Sequence, residues 1–153
     1  MSAQEAADRR WLARAIDLAA LCPPAAGAFS VGAVIVGADG AEISNGHSRE
    51  GGDPHVHAEQ SALAKLAPDD ARLAGATIYS SLEPCSERRS HPHPCAQLIL
   101  RSGIPRVVIA WREPALFVAD CQGVELLEAA GVEVVEFPDL ADAARAANTN
   151  LDV

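Results

Sequence analysis

Four short strand-forming runs, three of them followed by a stretch of helical character, constrain the fold of this chain most. They are Val31 to Val36, Thr77 to Leu82, Arg106 to Trp111 and Val132 to Phe137. Runs this short and this apolar predict strands covered on both faces, and the intervening segments supply the covers. Asp39-Gly40 predicts a hairpin turn into one further strand, from about Glu42 to Gly46. Helices are predicted over Glu5 to Leu21, His57 to Leu66, Cys95 to Arg101, Val124 to Ala130 and Leu140 to Ala147. In the first of these, Trp11, Leu12, Ala15, Ile16, Leu18 and Ala19 recur at helical spacing. Ser48 to Pro54 and Glu83 to Pro94 lack periodicity and predict loops. The order α-β-β-α-β-α-β-α-β-α implies an α/β protein with one five-stranded mixed sheet. The unit from Arg106 to Phe137 is expected to be a parallel crossover.

At 153 residues, one domain over 1–153 is the expectation, with enough chain to bury a single core. Hydrophobic residues make up 49% and charged ones 22%, which excludes a disordered chain. Aromatics are only 4%, so Ala, Val, Leu and Ile must carry the core. The formal charge of −9 should repel phosphate backbones, so no nucleic-acid partner is expected. No apolar run is long enough to predict a transmembrane helix. The polar, acidic start from Met1 to Arg10 lacks the form of a secretory leader, and a cytoplasmic protein is expected. Four cysteines in a reducing compartment point to metal binding or chemistry before disulfides.

Two segments carry that chemistry. His57-Ala58-Glu59 opens a predicted helix, and Glu83-Pro84-Cys85 is followed at a distance by Cys95. His57, Cys85 and Cys95 form a soft three-ligand set suited to Zn²⁺, with a fourth position left for water. Residues two apart on a helix do not share a face, so Glu59 is expected beside the metal as a proton carrier, not on it. Both cysteines are expected to precede or open helical stretches, where backbone N–H groups favour thiolates.

The pattern His-x-Glu with Pro-Cys and a second Cys resembles the signature of the zinc deaminases. Nine residues separate Cys85 from Cys95, and this longer spacing resembles the pyrimidine deaminase of bacterial riboflavin biosynthesis. The matching text is Leu82-Glu83-Pro84-Cys85-Ser86, then His93-Pro94-Cys95, Ser102-Gly103-Ile104 with Arg106-Val107, Glu113-Pro114, and Gly123 to Val134. It covers about residues 8 to 140. The resemblance implies a cytidine deaminase-like three-layer α/β/α sandwich, a catalytic zinc, and a homo-oligomer (dimer or tetramer) whose neighbours help build the pocket. It implies a small-molecule aminopyrimidine or related heterocycle as partner, first of all the diaminohydroxyphosphoribosylaminopyrimidine of the riboflavin pathway. Another base, nucleoside or nucleotide is the alternative. The chain ends before the reductase domain often fused to this deaminase, so the deaminase domain alone is expected.

In that reading Glu59 takes a proton from the attacking water, then protonates the ring nitrogen and the leaving amine, and ammonia departs. The chain departs from the family where Ala28-Phe29-Ser30 stands in place of Asn-Pro before Val31-Gly32, and where Glu87-Arg88-Arg89 lies in a loop one residue longer. Candidate substrate contacts are therefore Phe29 and Ser30, His47 at the end of the second strand, and Arg88 and Arg89 as phosphate ligands. Each has a plainer alternative: core packing for Phe29, a solvated loop for His47 and the arginines. Two other readings stand beside catalysis. A structural Cys₂His₂ site with His55, His91 or His93 leaves Glu59 without a task, and so does a zinc-stabilised binding protein. A tRNA adenosine deaminase shares the core motif, but the acidic charge opposes it. Cys22 and Cys121 are expected to be partly buried small apolar residues.

Overall fold

The computed structural model describes residues 1–88, 92–117, 121–151 and 153. Its strands are β1 (Gly32–Val36), β2 (Glu42–His47), β3 (Thr77–Ser80), β4 (Arg106–Ile109) and β5 (Glu133–Glu136). Its α-helices are α1 (Ala3–Ala19), α2 (Ala58–Ala64), α3 (Cys95–Ser102), α4 (Gly123–Ala129) and α5 (Ala141–Arg145). The five strands form one sheet in the order β2-β1-β3-β4-β5. β1 runs antiparallel to both β2 and β3, while β3, β4 and β5 are mutually parallel. The expected mixed sheet and the β4–α4–β5 parallel unit are both present. All four strands announced by short runs are shorter than those runs, β3 and β4 by two residues at their carboxyl ends. Leu82, Glu83 and Trp111 lie beyond those ends as buried loop residues.

Two glycines show how the layers close on the sheet. A side chain at Gly32 would strike the backbone of Ala15, so α1 lies directly on β1. Gly46 pairs with Ala33, the residue after Gly32, and therefore faces the other side of the sheet. A Cβ there would sit 2.6 Å from the Ala58 carbonyl oxygen, so α2 lies on that second face. α1 and α5 cover one face; α2, α3 and α4 follow one another across the other. Val34, Ile35, Ile78, Val107, Val108 and Ile109 are fully buried between them. Aliphatic residues do carry the core, as the low aromatic content requires. Among the described residues no helix is long and apolar enough to cross a membrane.

One buried charge lies inside this architecture. Asp8 of α1 is 2% exposed and accepts from the Arg106 guanidinium at 2.8 and 2.6 Å, the Tyr79 hydroxyl at 2.8 Å and Gln4 at 2.9 Å. Burial works against the Asp8 charge, but these donors outweigh it and hold the carboxyl below its ordinary range. The network ties α1 to Tyr79 of β3 and to the first residue of β4.

Candidate active site

The site lies at the opposite ends of the parallel strands, where loops leave their carboxyl termini, the usual place for ligands in such sheets. Each loop is held by a different device. After β3 the chain turns through Leu82 and Glu83 to Cys85. The Glu83 N–H bonds to Trp111 O at 2.8 Å. The buried Glu83 carboxylate accepts from the N–H groups of Glu113 at 3.0 Å and Val124 at 2.9 Å. It thus ties the loops after β3 and β4 to the start of α4. Gly123 is required there, because a side chain would collide with the Pro84 carbonyl.

His57 is the N-cap of α2, and its own N–H is held by Gln60 Oε1 at 3.4 Å. Cys95 opens α3. Cys85 opens no helix among the described residues, contrary to the expectation for it. Instead it draws on the first turn of α3. The Cys95 N–H donates to Cys85 Sγ at 3.2 Å, and the Ala96 N–H donates to Cys85 O at 3.0 Å. The Cys95 thiol, the His57 ring and that N–H together favour thiolate at Cys85. With one thiolate already present, the fully buried Cys95 keeps its proton more firmly.

The donor atoms of His57, Cys85 and Cys95 all lie within 4.8 Å of one another. His57 Nδ1 is 3.6 Å from Cys85 Sγ and 3.5 Å from Cys95 Sγ. Tetrahedral zinc with ordinary Zn–S and Zn–N lengths places S and N about 3.6 Å apart. The spacing and the soft donors therefore fit zinc, which needs no further protein ligand for an open site.

Glu59 is 4% exposed, in α2 two residues beyond His57. Burial raises its carboxyl pKa, and the negative Cys85 adds to that; the Ser80 hydroxyl works the other way. Ser80 Oγ lies 2.6 Å from Glu59 Oε1 and 2.7 Å from Leu82 O. Its single hydrogen can serve either acceptor. When Glu59 is ionised, the hydroxyl donates to it. When Glu59 is protonated, Glu59 can donate to Oγ and the hydroxyl turns to Leu82 O. Ser80 can thus solvate both states of a proton carrier.

A cavity of about 650 Å³ opens over this group. His57, Glu59 and Cys85 form its floor, Phe29 and Arg88 line its walls, and Glu113 lines it from the loop after β4. Burial raises the Glu113 carboxyl to about 7, and its buried Oε2 has no hydrogen-bond partner among the described residues. Phe29 is 8% exposed and meets Trp111 and Phe117 edge-on, at centroid distances of 5.7 and 5.1 Å. Arg88 donates to Gln60 Oε1 at 2.9 Å and His55 O at 2.7 Å. Ser30 and His47 do not line the cavity. Ser30 is buried beneath it, and His47 Nδ1 lies 3.1 Å from Ser48 O and 3.8 Å from Cys22 Sγ. Arg89 and His91 lie outside the described residues. His93 turns to Gln97 and Arg101 on α3. Cys22 and Cys121 are half-buried, as expected, and all four thiols are free.

Several residues that shape the site carried no signal in the sequence. Ser80 stood inside a strand. Arg49 stood in a polar loop, and Asn148 beyond the last predicted helix. Glu83 and Glu113 were visible only as parts of longer motifs.

Comparison with known proteins gives consistent results. Residues 5–111 match the family model for the cytidine and deoxycytidylate deaminase zinc-binding region. The diaminohydroxyphosphoribosylamino-pyrimidine deaminase of Schizosaccharomyces pombe is 42% identical over 129 residues, which is 82% of this chain and 31% of that protein. The riboflavin biosynthesis protein RibD of Escherichia coli is 37% identical over 133 residues, covering 83% of this chain and 33% of that one. The chain thus spans about a third of the length of these curated relatives. A crystal structure of Acinetobacter baumannii RibD superposes with a TM-score of 0.80 at 33% identity, over 95% of this chain and 39% of that chain.

Proposed function

This chain belongs to the cytidine and deoxycytidylate deaminase family, and from that premise we propose that it is a zinc-dependent hydrolytic deaminase of an aminopyrimidine. The observation that carries the proposal is the setting of Glu59. A buried carboxyl with no ion pair among the described residues stands beside a His/Cys/Cys donor set in an open cavity. A structural Cys₂His₂ centre would have no use for it. No fourth His, Cys, Asp or Glu joins the cluster among the described residues.

His57, Cys85 and Cys95 would hold the metal. When bound, zinc supplies a Lewis-acid position at which water gives up a proton near neutral pH. The remaining work falls to the chain's own groups. Glu59 accepts the water proton and passes it to the ring nitrogen next to the amino-bearing carbon, then takes the remaining proton of the hydroxyl added to that carbon and delivers it to the leaving amine as the carbonyl forms. The balance is one water consumed, one C–N bond broken, one C–O bond made, and ammonia released. Burial raises the Glu59 pKa, which favours the protonated carboxyl, and Ser80 can serve the group in both states. Phe29 offers a flat apolar wall for the ring.

The riboflavin-pathway diaminopyrimidine carrying a ribosylamino phosphate is the proposed substrate, supported by the names of the relatives that share 37–42% identity. Arg88 lines the cavity, but two of its guanidinium nitrogens already serve Gln60 and His55. Phosphate recognition is therefore the part of this reading most open to test. We place the activity in a reducing, cytoplasmic setting, in keeping with four free thiols, and in a homo-oligomer as in the family resemblance. The test is kcat/KM for the phosphorylated precursor, its dephosphorylated form, cytosine, cytidine and guanine. A clear preference for the phosphorylated precursor, weakened in Arg88→Ala, is expected. Activity confined to an unphosphorylated base or nucleoside would overturn the substrate while leaving the deaminase chemistry standing.

A further inference from the structure

The wall that carries Phe29 is built unlike the rest of the fold. Residues 23–30 join α1 to β1 and supply Gly27, Ala28 and Phe29 to the cavity. Among the described residues, no backbone–backbone hydrogen bond holds any of these eight. The backbone groups of Pro23, Ala25, Phe29 and Ser30 are held instead by side chains arriving from two distant segments, Arg49 from one and Asn148 with Asn150 from the other. Buried backbone groups need partners, so these side chains fix where the wall stands.

Arg49 is the first. It is 8% exposed and stands in left-handed backbone at φ 59, the one non-glycine residue with positive φ among those described. Such a conformation is disfavoured for a long side chain and persists where surroundings impose it. Its guanidinium donates to Pro23 O at 2.7 and 3.2 Å, to Phe29 O at 3.2 Å and to Ser30 Oγ at 2.6 Å. Its backbone N–H donates to Val56 O at 2.9 Å. Val56 lines the same cavity and precedes His57 in the chain. One residue therefore links the segment that leads into His57 to the segment that carries Phe29. Asn148 is the second, 1% exposed and just past α5. Its Oδ1 accepts from the Ser30 N–H at 2.7 Å, and its Nδ2 donates to Ser30 O at 3.1 Å. That two-way bond fixes the residue next to Phe29 across 118 positions of sequence.

We propose that Arg49 and Asn148 are positioning residues that hold Phe29 at stacking height over the substrate ring, and so set the enzyme's discrimination among flat heterocycles. The proposal rests on the deaminase reading of the cavity. Neither residue handles a proton or a metal donor. Loosening either one therefore affects ring binding more than the chemical step.

The test combines steady-state kinetics of the zinc-loaded protein with a fluorescence readout that needs no turnover. Asn148→Ala should raise KM about tenfold, the usual cost of losing a buried hydrogen-bond pair, with kcat within about threefold. Phe29→Ala should behave alike. The double variant should cost no more than Phe29→Ala alone, because one residue acts through the other. Asn148→Asp, which keeps the acceptor for the Ser30 N–H and loses the donor, should fall between, and it serves if Asn148→Ala folds poorly. Arg49→Lys, which keeps the charge but not the fork, should also raise KM. In a Trp11→Phe background, Trp111 is the single indole and touches Phe29; Asn148→Ala should make it more accessible to acrylamide. Multiplying effects of Asn148→Ala and Phe29→Ala, a loss confined to kcat, or unchanged quenching of Trp111 would overturn the proposal. If the unmodified protein releases ammonia from none of the heterocycles, the deaminase reading fails, and the quenching experiment still decides whether Asn148 holds Phe29 in place.

Discussion

Asp8 and Glu59 are both buried carboxylates on helices that cover the sheet, at 2% and 4% exposure, yet they are equipped for opposite tasks. Asp8 receives a bidentate guanidinium, a phenol and an amide. Its charge is matched and its proton is hard to restore. Glu59 receives one hydroxyl and faces a thiolate, so burial is left uncompensated and a proton is easy to take. Burial alone does not distinguish a structural acid from a catalytic one; the partners do. The molecule keeps them at opposite ends of the parallel strands, where a fully satisfied end anchors an under-satisfied one.

The largest expected effect removes the site's metal donors. Cys95→Ala should take zinc from about one per chain to near none by elemental analysis, with loss of ammonia release. The same measurement on Asp8→Asn should show full zinc. Retention of zinc in Cys95→Ala would break the contrast at the catalytic end.

At the other end, Asp8→Asn leaves Arg106 half-buried beside a neutral amide and should cost about 3 kcal/mol in urea unfolding, with kcat little changed. The pH dependence follows from the same pair. The folded pKa of Asp8 lies below its unfolded value, so its contribution is fully present above about pH 4 and is lost as pH falls through the folded value. Asp8→Asn should flatten the acid limb of stability against pH; an unchanged limb would show that other carboxylates carry it.

Ser80→Ala sharpens the comparison from the catalytic side. Without the hydroxyl, Glu59 loses its partner in both protonation states, and kcat should fall about tenfold while zinc is retained. The smallest effect concerns stability. The folded pKa of Glu59 lies above its unfolded value, so its charge opposes folding as pH rises past the unfolded pKa. In metal-free protein, Glu59→Gln should therefore gain about 1 kcal/mol at pH 7, opposite in sign to Asp8→Asn. A loss there would mean that the Glu59 charge is compensated after all.

Much of this was legible from the residues. The short strand-forming runs announce β1, β3, β4 and β5, and Asp39-Gly40 announces the β1–β2 turn. His57, Glu59, Cys85 and Cys95 stand in motifs short enough to read directly, and the structure brings them together on one floor. Asp8 was not read as buried, though it continues the Leu12, Ala15 and Ala19 stripe of α1 one turn earlier; its polarity hid it. Strand ends at Ser80 and Ile109 depend on where the neighbouring strands stop pairing, which no local pattern encodes. Cys85 takes its one thiolate-stabilising N–H from a helix ten residues on, not from one of its own. His47 and Ser30, nominated by their place in the chain, turn away from the cavity. Arg49 and Asn148 act across 19 and 118 positions to reach Ser30, a separation at which sequence gives no pairing signal.

The contrast between the two acids comes down to what Glu59 does. Zinc content and ammonia release should be measured side by side in the unmodified protein and in Glu59→Gln, on the phosphorylated diaminopyrimidine. The expected result is about one zinc per chain in both, with deamination reduced by at least about 10²–10⁴-fold in the variant. Loss of the metal from Glu59→Gln, or deamination persisting at the unmodified rate, would contradict the assignment of Glu59 as the proton carrier.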